Sequence, residues 1–183
     1  MCPKYELIQV GDNMKYFKPM MYIKDVFSIN YSKLKKQGIK MLVFDLDNTI
    51  SLIDEMEPKE EFVNLFTKLI KDFEILIASN NNKERVSLFA KKLGVNYLYY
   101  ALKPTLRLKK FIKKNYTYKF NEIAMIGDQL LTDMLVGNRS GMFTIYVDQL
   151  GKKDLKVTSL NRYLETKLLK RLEIKKGVYY EES

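Results

Sequence analysis

Asp45, Asp47, Asp128 and Asp133 stand with Thr49, Ser79, Asn80 and Lys103 just beyond four short apolar runs, and these residue types suit chemistry on a phosphate ester. A phosphate monoester dianion repels nucleophiles, so a protein without histidine that attacks one needs a cation to hold both partners. Carboxylates from two strand ends can supply that cation's ligands. Mg²⁺ suits them because it takes oxygen ligands at roughly 2 Å in an octahedron and keeps several waters. Each residue alone has a blander reading: Asp45-x-Asp47 as a turn, Asp128 or Thr49 as a helix cap, Ser79-Asn80 as a loop, Lys103 as a solvated charge. Four such coincidences at four strand ends explain the joint pattern poorly.

Composition removes the competing chemistries. The 183 residues include no histidine, which excludes serine–histidine triads, histidine zinc sites and phosphohistidine enzymes. The single cysteine, Cys2, can form no internal disulfide, and Ile8 stands where a Cys-x5-Arg phosphatase needs arginine. Residues are 46% hydrophobic and 30% charged, a mixture that folds, and the length fits one core. No apolar run approaches the roughly 18 residues of a membrane span, and the first residues lack a continuous apolar segment, so a cytoplasmic location is expected.

The elements that must position these residues follow from periodicity. Apolar strand-length runs at 41–44, 74–78, 97–100, 123–126 and 144–147 alternate with helix-like stretches at about 60–71, 82–93, 105–115 and from Asp128 to about Asn138. Gly94 suits a helix C-cap, and a short helix over 31–37 should close at Gly38. This order predicts an α/β fold: a doubly wound, Rossmann-like parallel sheet with helices on both faces. In such sheets ligands bind beyond the carboxyl ends of the strands, where all the polar clusters fall. Residues 17–29 give no clear pattern. Near the end, Leu160, Tyr163, Leu164, Leu168 and Leu172 recur at helical spacing and predict a basic amphipathic helix.

Charge divides the chain in three. Residues 1–40 carry eight Lys and Arg against three acids, 41–148 fifteen against fourteen, and 149–183 nine against five. The expected organisation is a basic N-terminal extension (1–37), a catalytic domain (38–148) and a basic helical C-terminal extension (149–183). Lys103 to Lys119 holds seven positive residues and no acid, a local positive field inside the balanced domain.

The four strand-end clusters come in the order and positions of the haloacid dehalogenase (HAD) superfamily, which residues 38–148 resemble. Gly38-Ile39-Lys40, Asp45-Leu46-Asp47-Asn48-Thr49, and Gly127-Asp128-Gln129-Leu130-Leu131-Thr132-Asp133 with Gly137-Asn138-Arg139 look like the YqeG subgroup of type IIIA phosphatases. That subgroup is similar to phosphatidylglycerophosphate phosphatases of mitochondria and plastids. The resemblance implies that Asp45 is the nucleophile and a Mg²⁺ ligand, and that Asp128 completes the metal site. It implies that Asp47 is the general acid and base, ligating through its backbone carbonyl. Residues i and i+2 at a strand end point the same way, so both carboxylates can flank one phosphorus. Ser79 or Asn80 is expected to bind phosphoryl oxygens, Lys103 to neutralise phosphate and nucleophile, and Thr49 to steady the loop beside the substrate. Asp133 is expected to act through water or by orienting Lys103; Arg139 is expected either to bind substrate or to cap its helix.

These expectations make a phosphatase without a large cap domain, since only about a dozen residues separate Asp47 from the next helix. A membrane lipid phosphate is the implied substrate, with basic flanks attracted to an anionic membrane at about 1 kcal/mol per well-placed cation. The alternatives are a phosphatase of soluble sugar phosphates or nucleotides, and an RNA- or ribosome-associated binding module. No RRM, KH or P-loop signature supports the last.

Overall fold

A computed structural model describes residues 12–151 and 156–181, so Cys2 lies outside the described residues. In chain order it contains β1 (Met21–Ile23), α1 (Tyr31–Lys36), β2 (Met41–Phe44), α2 (Glu60–Leu69), β3 (Glu74–Ala78), α3 (Lys83–Leu93) and β4 (Asn96–Leu98). Then come α4 (Arg107–Asn115), β5 (Ile123–Gly127), a π-helical turn (Leu130–Met134), α5 (Leu135–Ser140), β6 (Phe143–Val147), α6 (Lys156–Arg171) and β7 (Tyr180–Glu181).

One seven-stranded sheet in the order β4-β3-β2-β5-β6-β1-β7 organises the chain, parallel throughout except for β7 against β1. The inner strands are apolar along their length because both sheet faces are covered. Alternation sorts their side chains. Leu42, Phe44, Ile75, Ile77, Ala124 and Ile126 pack with Phe62 and Phe66 of α2 and Val86 and Phe89 of α3 on one face. Met41, Val43, Leu76, Ala78 and Met125 pack with Leu108 and Ile112 of α4 and Val136 of α5 on the other. The fold is the expected doubly wound α/β sheet. No large cap interrupts it: residues 45–59 alone join β2 to α2.

Chain order runs outward from β2 through β3 to β4, then returns to β5 on β2's other side and continues to β6. The carboxyl ends of β2 and β5 therefore border the switch point, where an open α/β sheet leaves a crevice. The Asp45 N–H donates to the Ile126 carbonyl at 2.9 Å, locking the first acidic loop beside Gly127-Asp128.

Three features differ from the expectation. Both flanks contribute strands, since β1 extends the sheet beyond β6 and β7 pairs with β1, so the sheet does not end at residues 38 and 148. These strands of three and two residues carry almost no local signal and exist through pairing. Strand β4 ends at Leu98, because Tyr100 takes a φ of 43° that an extended strand cannot contain. On α6, Tyr163 and Leu164 are exposed, while Glu165 and Leu169 are buried; the side chain of Leu160 lies outside the described residues. Glu165 turns inward because its Oε1 accepts the N–H of Leu131, one of the donors that the π-helical turn leaves without an internal partner.

Candidate active site

Every candidate site residue except Arg139 lies at the carboxyl edge of the sheet, on loops pinned by buried apolar neighbours. After β2, Leu46 and Ile50 plunge into the core, and Asn48 holds a left-handed φ of 65° that folds the loop back so that its N–H donates to the Ser51 carbonyl at 2.6 Å. Asp45 thereby points into the crevice while the segment 51–56 arches beside it.

Lys103 reaches this crevice from the turn after β4. Its Nζ donates to Asp45 Oδ1 at 2.6 Å and to Asp133 Oδ1 at 2.7 Å, with only 2% of the side chain exposed. Burial works against the lysine charge, but Asp133 and Asp45 outweigh it and hold the ammonium above its usual pKa. Burial pushes the Asp45 carboxyl well above the ordinary carboxylate range; Lys103 pulls it back, and Asp133, Asp128 and Asp47 push it up again. The main chain of Lys103 is gripped as firmly. Its N–H donates to Asn80 Oδ1 at 2.7 Å, and Asn80 Nδ2 donates to its carbonyl at 3.0 Å. The amide of Asn80 is committed to this clamp, which leaves Ser79, whose Oγ accepts from the Asn81 N–H, as the buried hydroxyl of the pair.

Asp133 is placed by the π-helical turn. The N–H groups of both Asp133 and Met134 donate to the Gln129 carbonyl, a wider turn than the continuous helix expected from sequence. The acid then folds back: Oδ2 accepts the Gln129 N–H at 3.2 Å while Oδ1 accepts from Lys103. Gly127 is what makes room, since a Cβ built there collides with the Asp133 carboxylate. Thr49 Oγ1 donates to Asp128 Oδ1 at 3.1 Å, joining the loop after β2 to the one after β5.

The donor set fits a hard cation. Carboxylate oxygens of Asp45, Asp128 and Asp133 lie within 4.8 Å of one another, all buried. One ammonium faces three carboxylates, a formal charge of −2 that a dication with oxygen ligands balances.

Asp47 is held differently. Arg85 Nε and Nη2 both approach Asp47 Oδ1 at 2.8 Å, and Asn81 Nδ2 donates to Oδ2 at 3.1 Å. The same guanidinium donates to the carbonyls of Leu52 and Glu55 and to Ser51 Oγ, so it ties the arch 51–56 to α3 and to Asp47. Sequence reasoning missed Arg85 and Asn81. A signal existed, because a cation in the first turn of a helix opposes the helix dipole and calls for a local reason. Arg139 stands apart, in the last turn of α5, which has by then crossed to the opposite edge of the sheet; there it borders a shallow pocket with Tyr16 and Phe17. Its neighbour Asn138 anchors the chain entering β1, donating to the carbonyls of Tyr16 and Lys18 at 2.8 Å.

The profile of the family described as mitochondrial PGP phosphatase matches residues 4–150, most of the chain. The chain belongs to this family. The phosphatase is similar to "Probable phosphatase YqeG" of Bacillus subtilis, 36% identical over 169 residues that cover 92% of this chain and 98% of that protein. It is also 25% identical, over 184 residues, to the chloroplastic/mitochondrial phosphatidylglycerophosphate phosphatase 1 of Arabidopsis thaliana. A chloroplastic phosphatidylglycerophosphate phosphatase 1 of Chlamydomonas reinhardtii is 29% identical over 151 residues. The matches cover 92% and 76% of this chain, which spans 51% and 56% of those two proteins. The phosphatase is thus of the YqeG kind, and among its described residues no helix is long and apolar enough to cross a membrane.

Proposed function

We propose that this phosphatase is a Mg²⁺-dependent phosphate monoester hydrolase that works through a phosphorylated Asp45 and acts on a lipid phosphate of the phosphatidylglycerophosphate kind. The observation that carries the reading is Lys103 Nζ, buried and donating to both Asp45 and Asp133 beside the switch point. On this reading residues 38–148 carry the chemistry.

An Asp45 oxygen attacks phosphorus in line, and the bond to the alcohol oxygen breaks as Asp47 delivers a proton to it. Water then attacks the phosphorylated aspartate, Asp47 takes its proton, and inorganic phosphate leaves with the Asp45 carboxylate restored. Lys103 neutralises Asp45 before attack and the phosphoryl oxygens during it, while the Ser79 hydroxyl and its neighbouring N–H groups bind those oxygens. Asp45, Asp128 and the backbone carbonyl of Asp47 would hold Mg²⁺, which when bound offsets the charge of phosphate and nucleophile. Asp133 orients Lys103.

Support for a lipid substrate comes from the names of the two plant and algal relatives. A cleft of about 340 Å³ beside Arg85, lined largely by Ile53, Met56, Leu88 and Phe89, offers apolar surface next to the site. The deciding experiment is a substrate panel with Mg²⁺ or EDTA that sets phosphatidylglycerophosphate in micelles against small sugar phosphates and nucleotides. Lipid turnover no faster than sugar phosphate turnover would defeat the substrate assignment, and activity surviving EDTA would defeat the metal requirement.

Two variants test the division of labour. Asp128→Asn is expected to weaken Mg²⁺ binding, so a thermal-shift titration should need at least about tenfold more Mg²⁺ than wild type. An unchanged midpoint would remove Asp128 from the metal site. Arg85→Gln is expected to keep Mg²⁺ affinity but lower kcat by about ten- to a hundredfold, because Asp47 loses the partner that aims it. Wild-type kcat in this variant would reduce Arg85 to a structural tie for the arch.

A further inference from the structure

The turn between β4 and α4 exposes apolar side chains where it buries a catalytic one. Tyr100, Leu102 and Leu106 are 49%, 50% and 43% exposed, while Ala101 and Lys103 between them are buried. The alternation is enforced by backbone. Tyr100 and Leu102 hold φ values of 43° and 51°, unfavourable for residues with a Cβ. The turn is fastened to the loop after β3 by the Tyr100 N–H on the Asn81 carbonyl at 3.0 Å, the Ala101 N–H on the Ser79 carbonyl at 2.9 Å, and the Asn80 clamp. A rigid turn thus presents leucines to solvent at a site where strain aims Lys103 inward.

Single exposed leucines are ordinary. Their placement here is not random. All the parallel strands end at one edge, and the loops following them also expose Phe27, Met56 and Leu150, whereas the opposite edge exposes Met20 and Ile70. Charge then selects one side of that edge. The arch carries Asp54 and Glu55, with Glu57 just after it, but the segment from Leu102 into α4 carries Arg107, Lys109, Lys110, Lys113 and Lys114 and no acid. Within α4, Leu108 and Ile112 face the core, leaving Arg107, Lys110, Lys113 and Lys114 exposed. Arg107 and Lys110 flank the leucines in the first turn. At 1.5 Å per residue Lys113 and Lys114 stand about 10 Å along the axis from Arg107, at the limit of a Debye length near 8 Å.

We propose that the β4–α4 turn docks this phosphatase on an anionic phospholipid bilayer, with Tyr100, Leu102 and Leu106 entering the interface and the first turn of α4 meeting the headgroups. The proposal rests on the lipid-phosphate reading above and locates the contact at the mouth of the site rather than on the basic flanks. Docked this way, the crevice that holds Asp45 and Lys103 faces the headgroup layer, so a lipid phosphate need not leave the bilayer to react.

Sedimentation with phosphatidylglycerol-containing vesicles and with pure phosphatidylcholine vesicles tests it. Wild type should bind the anionic vesicles and release them as salt rises. Leu102→Ser with Leu106→Ser should bind them at least about tenfold more weakly, while unfolding at the wild-type temperature and keeping its rate on a soluble chromogenic monoester. As a measurement independent of that variant, an environment-sensitive fluorophore is placed at Leu102→Cys or Ile70→Cys, each with Cys2→Ser. Vesicles should shift emission to the blue at position 102 and leave position 70, at the opposite edge, unchanged. The proposal is overturned by absent or equally strong binding to the two vesicle types, by wild-type binding of the double serine variant, or by equal shifts at both positions. Binding of single-stranded RNA, but not of vesicles, that the serine substitutions abolish would also overturn it and assign the patch to nucleic acid. Because binding is read without turnover, it can fail while micellar lipid is still hydrolysed, and the substrate reading can fail while binding stands.

Discussion

Asp45→Asn is expected to lower turnover of a chromogenic phosphate monoester by about a thousandfold or more, ~4 kcal/mol in the barrier, while the protein stays folded. The amide matches the carboxylate in shape, and the Asp45 N–H bond to Ile126 that positions the loop is untouched. What disappears is the nucleophile and one charge facing the cation. Folding of the metal-free protein should not suffer. Asp45 is buried with Asp128 and Asp133, and burial raises its pKa, so removing its charge relieves desolvation and repulsion together. Steady-state rates and a thermal unfolding curve check both halves. A variant that keeps more than about a tenth of the wild-type rate removes Asp45 from the nucleophile role, and one that unfolds well below wild type shows that its charge supports the fold.

Lys103→Met is expected to cost both activity and stability. The side chain is buried and bonded to two buried carboxylates, and taking away one partner of such a network costs about 3–5 kcal/mol because the remaining charges lose their compensation. Methionine fills much of the volume, so the loss is electrostatic rather than a cavity. Urea unfolding should show the loss, and Lys103→Met combined with Asp133→Asn should recover part of it, since one fewer carboxylate is stranded. Mg²⁺ should also recover part of it, because a dication can stand in for the ammonium in balancing the cluster. A loss below about 1 kcal/mol, or a double variant less stable than Lys103→Met, would show that the three side chains do not act as one network. Turnover of Lys103→Met should fall beyond detection in either case, because phosphate and nucleophile then repel each other uncompensated.

Much of this enzyme was legible before its fold was known. The inner strands β2, β3, β5 and β6 are apolar runs because both sheet faces are covered, and that requirement is written locally in residue type. Asn82, whose side chain accepts the Arg85 N–H, and Gly94, at a φ of 69°, mark the ends of α3 for equally local reasons. The acids were conspicuous because they break apolar runs at the places a parallel sheet leaves open.

What only the tertiary structure decided depends on residues far apart in the chain. Strands β1 and β7 are too short to announce themselves and owe their existence to β6 and to each other. Glu165 turned inward against the apolar stripe of α6 because a donor 34 residues away, the Leu131 N–H, needed an acceptor. Arg85 looked like one more helix charge until the fold set it against Asp47, 38 residues distant, and the Asn80 side chain looked free to meet phosphate until Lys103 took both ends of its amide, which leaves only its main chain for that role. Residue type and spacing report what a short segment can do by itself, whereas an unpaired N–H, carboxylate or guanidinium is satisfied by whatever the fold brings within about 3 Å of it.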